Sequence, residues 1–225
     1  MKNSIPRTTA GRIAALALGA CLAGTSLAQV HSTHQHSFDD AEKWSRIFDD
    51  PKRDAWQKPH EVIAALKLAP DAVVADIGAG TGYFAARLAH FVPKGRVYAA
   101  DAEPDMVTFL GERARREGLA NLTAVTAAPD SPRLPAAVDL VLLVDVFHHI
   151  DKRNVYFSQL RNSLKPGGRV AVIDFSMASR SGPPPNERVA PERVKSEMAA
   201  AGYKLAEEFK FLPEQYFLVF TPGKP

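Results

Sequence analysis

Apolar residues along this chain follow two rhythms that take turns. Phe38, Trp44, Ile47 and Phe48 recur at helix-like spacing until Asp49-Asp50-Pro51 ends the run. Pro59 opens a second helix carrying Val62, Ile63 and Leu66, and Pro70-Asp71 stops it. From there short apolar runs alternate with helical stretches. Strands are expected at Ala72–Ile77, Arg96–Ala100, Leu122–Thr126, Val138–Val144 and Arg169–Phe175. Helices are expected at Gly80–His90, Pro104–Glu117 and Asp151–Leu164, the last ended by Pro166-Gly167-Gly168. This order predicts βαβ units around a parallel sheet. Unbroken apolar runs such as Leu140–Val144 suit strands covered on both faces. After the loop Ser181–Asn186 and a helix over Ala190–Ala201 the rhythm changes. Tyr203–Phe211 and Gln215–Thr221 read as strands separated only by Leu212-Pro213-Glu214, and so short a connection joins antiparallel partners. The expected fold class is α/β, mostly parallel, with one antiparallel strand near the sheet edge.

Composition narrows function more than fold. The 225 residues are 46% hydrophobic and 24% charged, which is ordinary for a globular chain. The formal charge is +3, but Lys2, Arg7 and Arg12 lie in the first 28 residues, which hold no acid. The remainder has 25 basic against 25 acidic residues, a neutral body with no electrostatic footprint for nucleic acid. Cys21, the only cysteine, is in the same stretch, which excludes disulfides, thiolate metal sites and a cysteine nucleophile from the rest. That stretch has the order of a secretory signal peptide: basic residues, the apolar run Ile13–Ala23, then small Ser26 and Ala28. Cleavage near Ala28 would give an exported, periplasmic chain with no stable membrane insertion; an N-terminal membrane anchor is the alternative. Residues 29–37, with His31, His34 and His36, read as a flexible terminus, because no carboxylate or cysteine completes a metal site. Residues 38–225 read as one domain, with 38–70 as a helical cover.

The chemistry concentrates at Asp76-Ile77-Gly78-Ala79-Gly80-Thr81-Gly82, which ends the first strand and opens a helix. Glycines there let a ligand approach bare backbone, and the helix start offers free N–H groups. A dinucleotide loop, G-x-G-x-x-G, would want a third small residue where bulky Tyr83 stands. Asp76 aimed into the crevice suits a cationic ligand better than a pyrophosphate. Asp101 ends the second strand, 19 residues after Gly82, where a carboxylate can accept two ribose hydroxyls.

With these residues the sequence resembles the class I S-adenosylmethionine-dependent methyltransferases, in a small-molecule branch like that of ubiquinone and menaquinone synthesis. The resemblance spans roughly residues 57–221, and it includes Asp139–Ile150 at the fourth strand and Leu164-Lys165-Pro166-Gly167-Gly168 before the fifth. It implies a Rossmann-like three-layer sandwich with a seven-stranded sheet, the last strand antiparallel. It also implies S-adenosyl-L-methionine as cofactor, held by Asp76, Gly78, Gly80, Gly82, Tyr83, Asp101, Met106 and Asp145. Asp130 would take the place of the family's acid near the adenine, where this chain has Ala127-Ala128.

The acceptor side is less marked. His148 and His149 follow the fourth strand and are candidate bases; capping or backbone bonding is the other reading for each. Trp56, Gln57 and Phe147 are candidate pocket walls, and Arg188 a candidate partner for an anionic substrate. The resemblance disfavours DNA amino methylation, since Asp145-Val146-Phe147-His148 stands where that branch has an Asn/Asp-Pro-Pro-aromatic motif. The expected partner is a small-molecule acceptor, with no metal. A non-catalytic nucleoside-binding module and an NAD-linked oxidoreductase are the alternatives.

Overall fold

The computed structural model describes Met1, Phe38 and residues 40–223. The signal-peptide pattern, Cys21 and the His31/His34/His36 cluster lie outside the described residues. Seven strands are β1 (Val73–Ile77), β2 (Arg96–Asp101), β3 (Leu122–Thr126), β4 (Val138–Val144), β5 (Leu164–Phe175), β6 (Tyr203–Phe209) and β7 (Gln215–Pro222). They form one sheet in the order β3-β2-β1-β4-β5-β7-β6. Only β7 runs against its neighbours, pairing antiparallel with both β5 and β6. The order reverses between β1 and β4, and at such a reversal the carboxyl ends of the strands are where an open α/β sheet forms its ligand crevice.

Helices are α1 (Ala41–Phe48), α2 (Asp54–Gln57), α3 (Pro59–Ala65), α4 (Tyr83–Phe91), α5 (Pro104–Arg116), α6 (Arg153–Leu160) and α7 (Pro191–Ala200). Alternation along the strands feeds two apolar layers. Leu140, Leu142 and Val144 of β4 pack with α3, α4 and Leu110 of α5. Val141 and Leu143 face the other way, onto Tyr156 and Phe157 of α6 and Val194 and Met198 of α7. Among the described residues no helix is long and apolar enough to cross a membrane.

Element ends differ from the sequence reading where pairing or glycine conformation takes over. The helix expected over Asp151–Leu164 closes at Leu160, followed by a single 3-10 turn. Leu164 already pairs with Val138, so Pro166-Gly167-Gly168 lies inside β5 rather than ahead of it. α4 starts at Tyr83 rather than Gly80 because Gly80 and Gly82 have φ of 55° and 93°. α1 starts at Ala41, where the Asp40 carboxylate accepts the Lys43 amide at 3.1 Å.

Candidate cofactor and acceptor site

Each glycine of the loop after β1 meets a different neighbour. A Cβ on Gly78 (φ 67°) would stand 2.3 Å from Cγ2 of Val146, and one on Gly82 would stand 2.8 Å from Leu110. Those two are required by the protein's own packing. Gly80 instead faces the crevice, where its missing Cβ would touch only the ring of Phe48, at 3.3 Å. Bare backbone is thus presented to a ligand at one place.

Two buried carboxylates flank it. Asp101, 9% exposed, accepts the Gly80 amide on Oδ2 at 2.8 Å and the Glu103 amide on Oδ1 at 3.0 Å. Each oxygen keeps a second lone pair, which suits a vicinal diol. Burial raises its pKa, while the Glu103 and Gly80 amides pull the other way. Asp76, 3% exposed, has its pKa raised to about 7, first by burial and then by the charge of Asp101; Arg53 and the Ala85 amide oppose this. A carboxylate so placed gains most from a cationic partner.

The segment from Phe38 to Gln57 covers this crevice. Phe38, Trp44 and Phe48 pack with Ala41 onto Met106 and Phe109, and Trp44 stacks on Phe48 at 5.2 Å between ring centres. Ion pairs tie the cover down: Asp49 to Arg113 at 2.9 Å, Asp54 to Arg87 at 3.1 Å and Arg53 to Asp145 at 3.7 Å. The Arg53 guanidinium also lies 4.1 Å over the Tyr83 ring and donates to Gln57 at 3.0 Å and to the Phe48 carbonyl at 3.0 Å. Gln57, fully buried, donates to Gln215, and Gln215 donates to Asp145. Asp145 has φ of 60°, unusual for a residue with a side chain, and this turns it from the end of β4 toward the cover. Burial and then Asp174 raise its pKa; Arg53, His148 and Gln215 counter them.

Behind Asp145 stands a buried pair. Nδ1 of His148 lies 3.0 and 2.9 Å from the two carboxylate oxygens of Asp174, whose side chain is 1% exposed. Burial works against a charged imidazole, but the hydrogen bond and charge of Asp174, with Asp145 and Glu187, raise its pKa above the usual value. Tyr216 pairs across the sheet with Asp174, and its buried hydroxyl has no partner among the described residues.

Comparison with known proteins agrees with this geometry. Residues 74–168 match the methyltransferase domain family, and that span runs from β1 through the turn within β5. The chain is 30% identical over 97 residues to malonyl-acyl-carrier-protein O-methyltransferase of Hahella chejuensis, covering 43% of this chain and 34% of that protein. It is 28% identical over 169 residues to the ubiquinone/menaquinone biosynthesis C-methyltransferase of Cupriavidus metallidurans, covering 70% and 68% respectively. The chain therefore spans about a third of the first relative. Among solved structures it resembles a SAM dependent methyltransferase from Aquifex aeolicus, with TM-score 0.74, 26% identity, and coverage of 80% of this chain and 97% of that one.

The fold brings some expected residues together and leaves others apart. Asp76, Gly80 and Asp101 come together where β1 and β2 end, and Met106 packs under the cover. Tyr83 is 3% exposed and locked, its hydroxyl donating to Asp54 and its ring held between Arg53 and Arg87. Trp56 packs on Phe175 at 5.7 Å, and His149 stands edge-on to Phe38 at 5.7 Å.

Three expectations require correction. Phe147 is fully buried, stacked on Phe157 at 5.1 Å, so it is core rather than pocket wall. Arg188 donates to the carbonyls of Pro183 (2.7 Å), Ser179 (2.8 Å), Ser176 (3.0 Å) and Ser181 (3.0 Å). Its guanidinium staples its own loop instead of meeting an anion. Asp130 is exposed in the turn closed by the Ala128–Ser131 bridge. Asp174 and Gln215 escaped the sequence reading. Both sit at the strand ends that border the crevice, and that rule alone would have flagged Asp174 at the end of β5. Among the described residues no group of three His, Cys, Asp or Glu is placed to hold a metal.

Proposed function

We propose that the chain transfers a methyl group from S-adenosylmethionine to a small, partly apolar acceptor by in-line displacement. The observation that carries this reading is the crevice itself: bare backbone at Gly80 between two buried carboxylates, Asp76 and Asp101. The cofactor, when bound, supplies the electrophilic methyl carbon. The chain's residues hold and orient the two reactants and keep water out. Asp76 faces the cofactor's positive charge, Asp101 accepts its diol, and Phe48 and Trp44 close over it. Trp56 and Phe175 give the acceptor an apolar wall. The names of the relatives, an O-methyltransferase and a C-methyltransferase, support methyl transfer as the reaction. On the Lys2–Ala28 pattern the chain is exported, so the reaction runs in the periplasm.

A second reading, a module that holds the cofactor without turnover, is favoured by one contact, the Phe48 ring seated on Gly80. Calorimetric titration with S-adenosylmethionine, S-adenosylhomocysteine and NADH tests the binding. Micromolar affinity for the first two and none for NADH is expected, and binding of NADH alone would refute the assignment. Methylation across a screen of acceptors separates turnover from simple holding.

A further inference from the structure

Resting on the methyl-transfer reading, we propose that the Arg53 guanidinium competes with the cofactor's positive charge for Asp76 and Asp145, yielding to the sulfonium donor and returning once the sulfur is neutral. Arg53 comes from the 3-10 turn Pro51–Arg53 between α1 and α2, and its side chain is 14% exposed. Two neutral groups of its own segment hold it: Nε donates to Gln57 at 3.0 Å and Nη1 to the Phe48 carbonyl at 3.0 Å. Neither contact neutralises its charge. That charge is directed outward from the cover. The Tyr83 ring lies 4.1 Å under it, and Asp145 Oδ2 is 3.7 Å from Nη2. It also lowers the pKa of both Asp145 and Asp76, so one cation from the cover acts on two buried acids, one at β1 and one after β4.

The link to Asp145 is built to be exchanged. Arg53 donates to Gln57, Gln57 to Gln215 and Gln215 to Asp145, which closes a ring back to Arg53. Three links of that ring are hydrogen bonds. The fourth, at 3.7 Å, is longer than a hydrogen bond and is held by charge alone. A second cation beside these carboxylates meets Arg53 as a like charge, whereas a neutral group does not. The Phe48 carbonyl hangs from the same guanidinium, and the Phe48 ring lies on Gly80. Whatever moves Arg53 therefore also loosens the ring from the one stretch of bare backbone. Methyl transfer supplies the reverse signal. The acceptor takes the methyl group, the C–S bonding pair stays on sulfur, and the spent cofactor carries one positive charge fewer. Asp76 and Asp145 then lose a cationic partner, and Arg53 is the cation next to them. Arg53 thus sets the preference between donor and spent cofactor.

Calorimetry on the full chain reads this without turnover, as the ratio of affinities for S-adenosylmethionine and S-adenosylhomocysteine. Any loosening of the cover acts on both compounds alike, so the ratio isolates the charge. Arg53→Gln keeps a long polar side chain without the charge, and should raise the ratio in favour of S-adenosylmethionine about tenfold. Arg53→Lys, which keeps the charge, should stay within about twofold of the native ratio. In an Asp76→Asn/Asp145→Asn background, Arg53→Gln should change the ratio by less than about twofold. A ratio unchanged or lowered by Arg53→Gln would overturn the proposal, and so would a full tenfold rise in the background without the two acids. The native chain gives a second readout that needs no variant. In NMR the Arg53 Nε–H resonance should shift on adding S-adenosylmethionine and much less on adding S-adenosylhomocysteine, and equal shifts would refute the exchange. A native chain that binds neither compound overturns the methyl-transfer reading and this inference with it. A native chain that binds both, with a ratio that Arg53→Gln does not raise, overturns this inference alone.

Discussion

Asp76 carries a stability cost that should be readable as a pH dependence. Its carboxyl is 3% exposed at the end of β1, with Asp101 as its nearest like charge, and its pKa stands at about 7 against 3.8 for the free side chain. The folded chain therefore holds a proton at Asp76 over a range where the unfolded chain does not. Stability from this group is fully present below pH 3.8 and is lost as pH rises through about 7. At about 1.4 kcal/mol per pH unit, the loss between pH 5 and pH 8 is about 3 kcal/mol. Asp76→Asn removes the titration and keeps the shape. Urea unfolding of both chains at pH 5, 6, 7 and 8 should show the native chain losing about 3 kcal/mol relative to the variant. Parallel stability curves across that range would refute the reasoning. The same charge has a use. A cationic ligand facing Asp76 should draw its proton off, so S-adenosylmethionine binding near pH 6 should release protons, and Asp76→Asn should abolish that release.

Further outcomes follow from single contacts. Asp101→Ala should weaken S-adenosylmethionine binding by about 1.5–3 kcal/mol, measured by titration calorimetry, because hydrogen bonds to a buried carboxylate are lost. Gly78→Ala should cost about 2–4 kcal/mol, from a positive φ and a clash with Val146; Val146→Ala should recover the clash but not the backbone strain, by urea unfolding. Arg53→Ala should free the cover, seen as faster proteolysis between α1 and α2, since Arg53 ties Asp145, Gln57 and the Phe48 carbonyl to one guanidinium. Arg188→Ala should raise amide hydrogen exchange through residues 176–187 by removing the staple on the carbonyls of Ser176, Met177, Ser179, Ser181 and Pro183.

The sheet and its order of elements were legible because each strand and helix is specified locally. Leu140–Val144 is apolar throughout, as a strand covered on both faces must be, and the five residues between β6 and β7 leave only an antiparallel return. The glycine loop and Asp101 were legible for a related reason, since their spacing along one βαβ unit fixes where they meet. The tertiary structure alone decided what depends on long-range contact. Leu164 pairs with Val138, which pulls Lys165–Gly168 into β5. Phe147 and His148 are adjacent in sequence, yet the first stacks into the core on Phe157 and the second turns to Asp174, 26 residues on. No periodicity encodes the Arg53, Gln57, Gln215 and Asp145 network, because its members come from the cover, the end of β4 and the start of β7. Local pattern sets each element because hydrophobic burial and backbone hydrogen bonding act within a few residues. The polar contacts of a site form only after those elements have packed, and their partners are chosen by the fold.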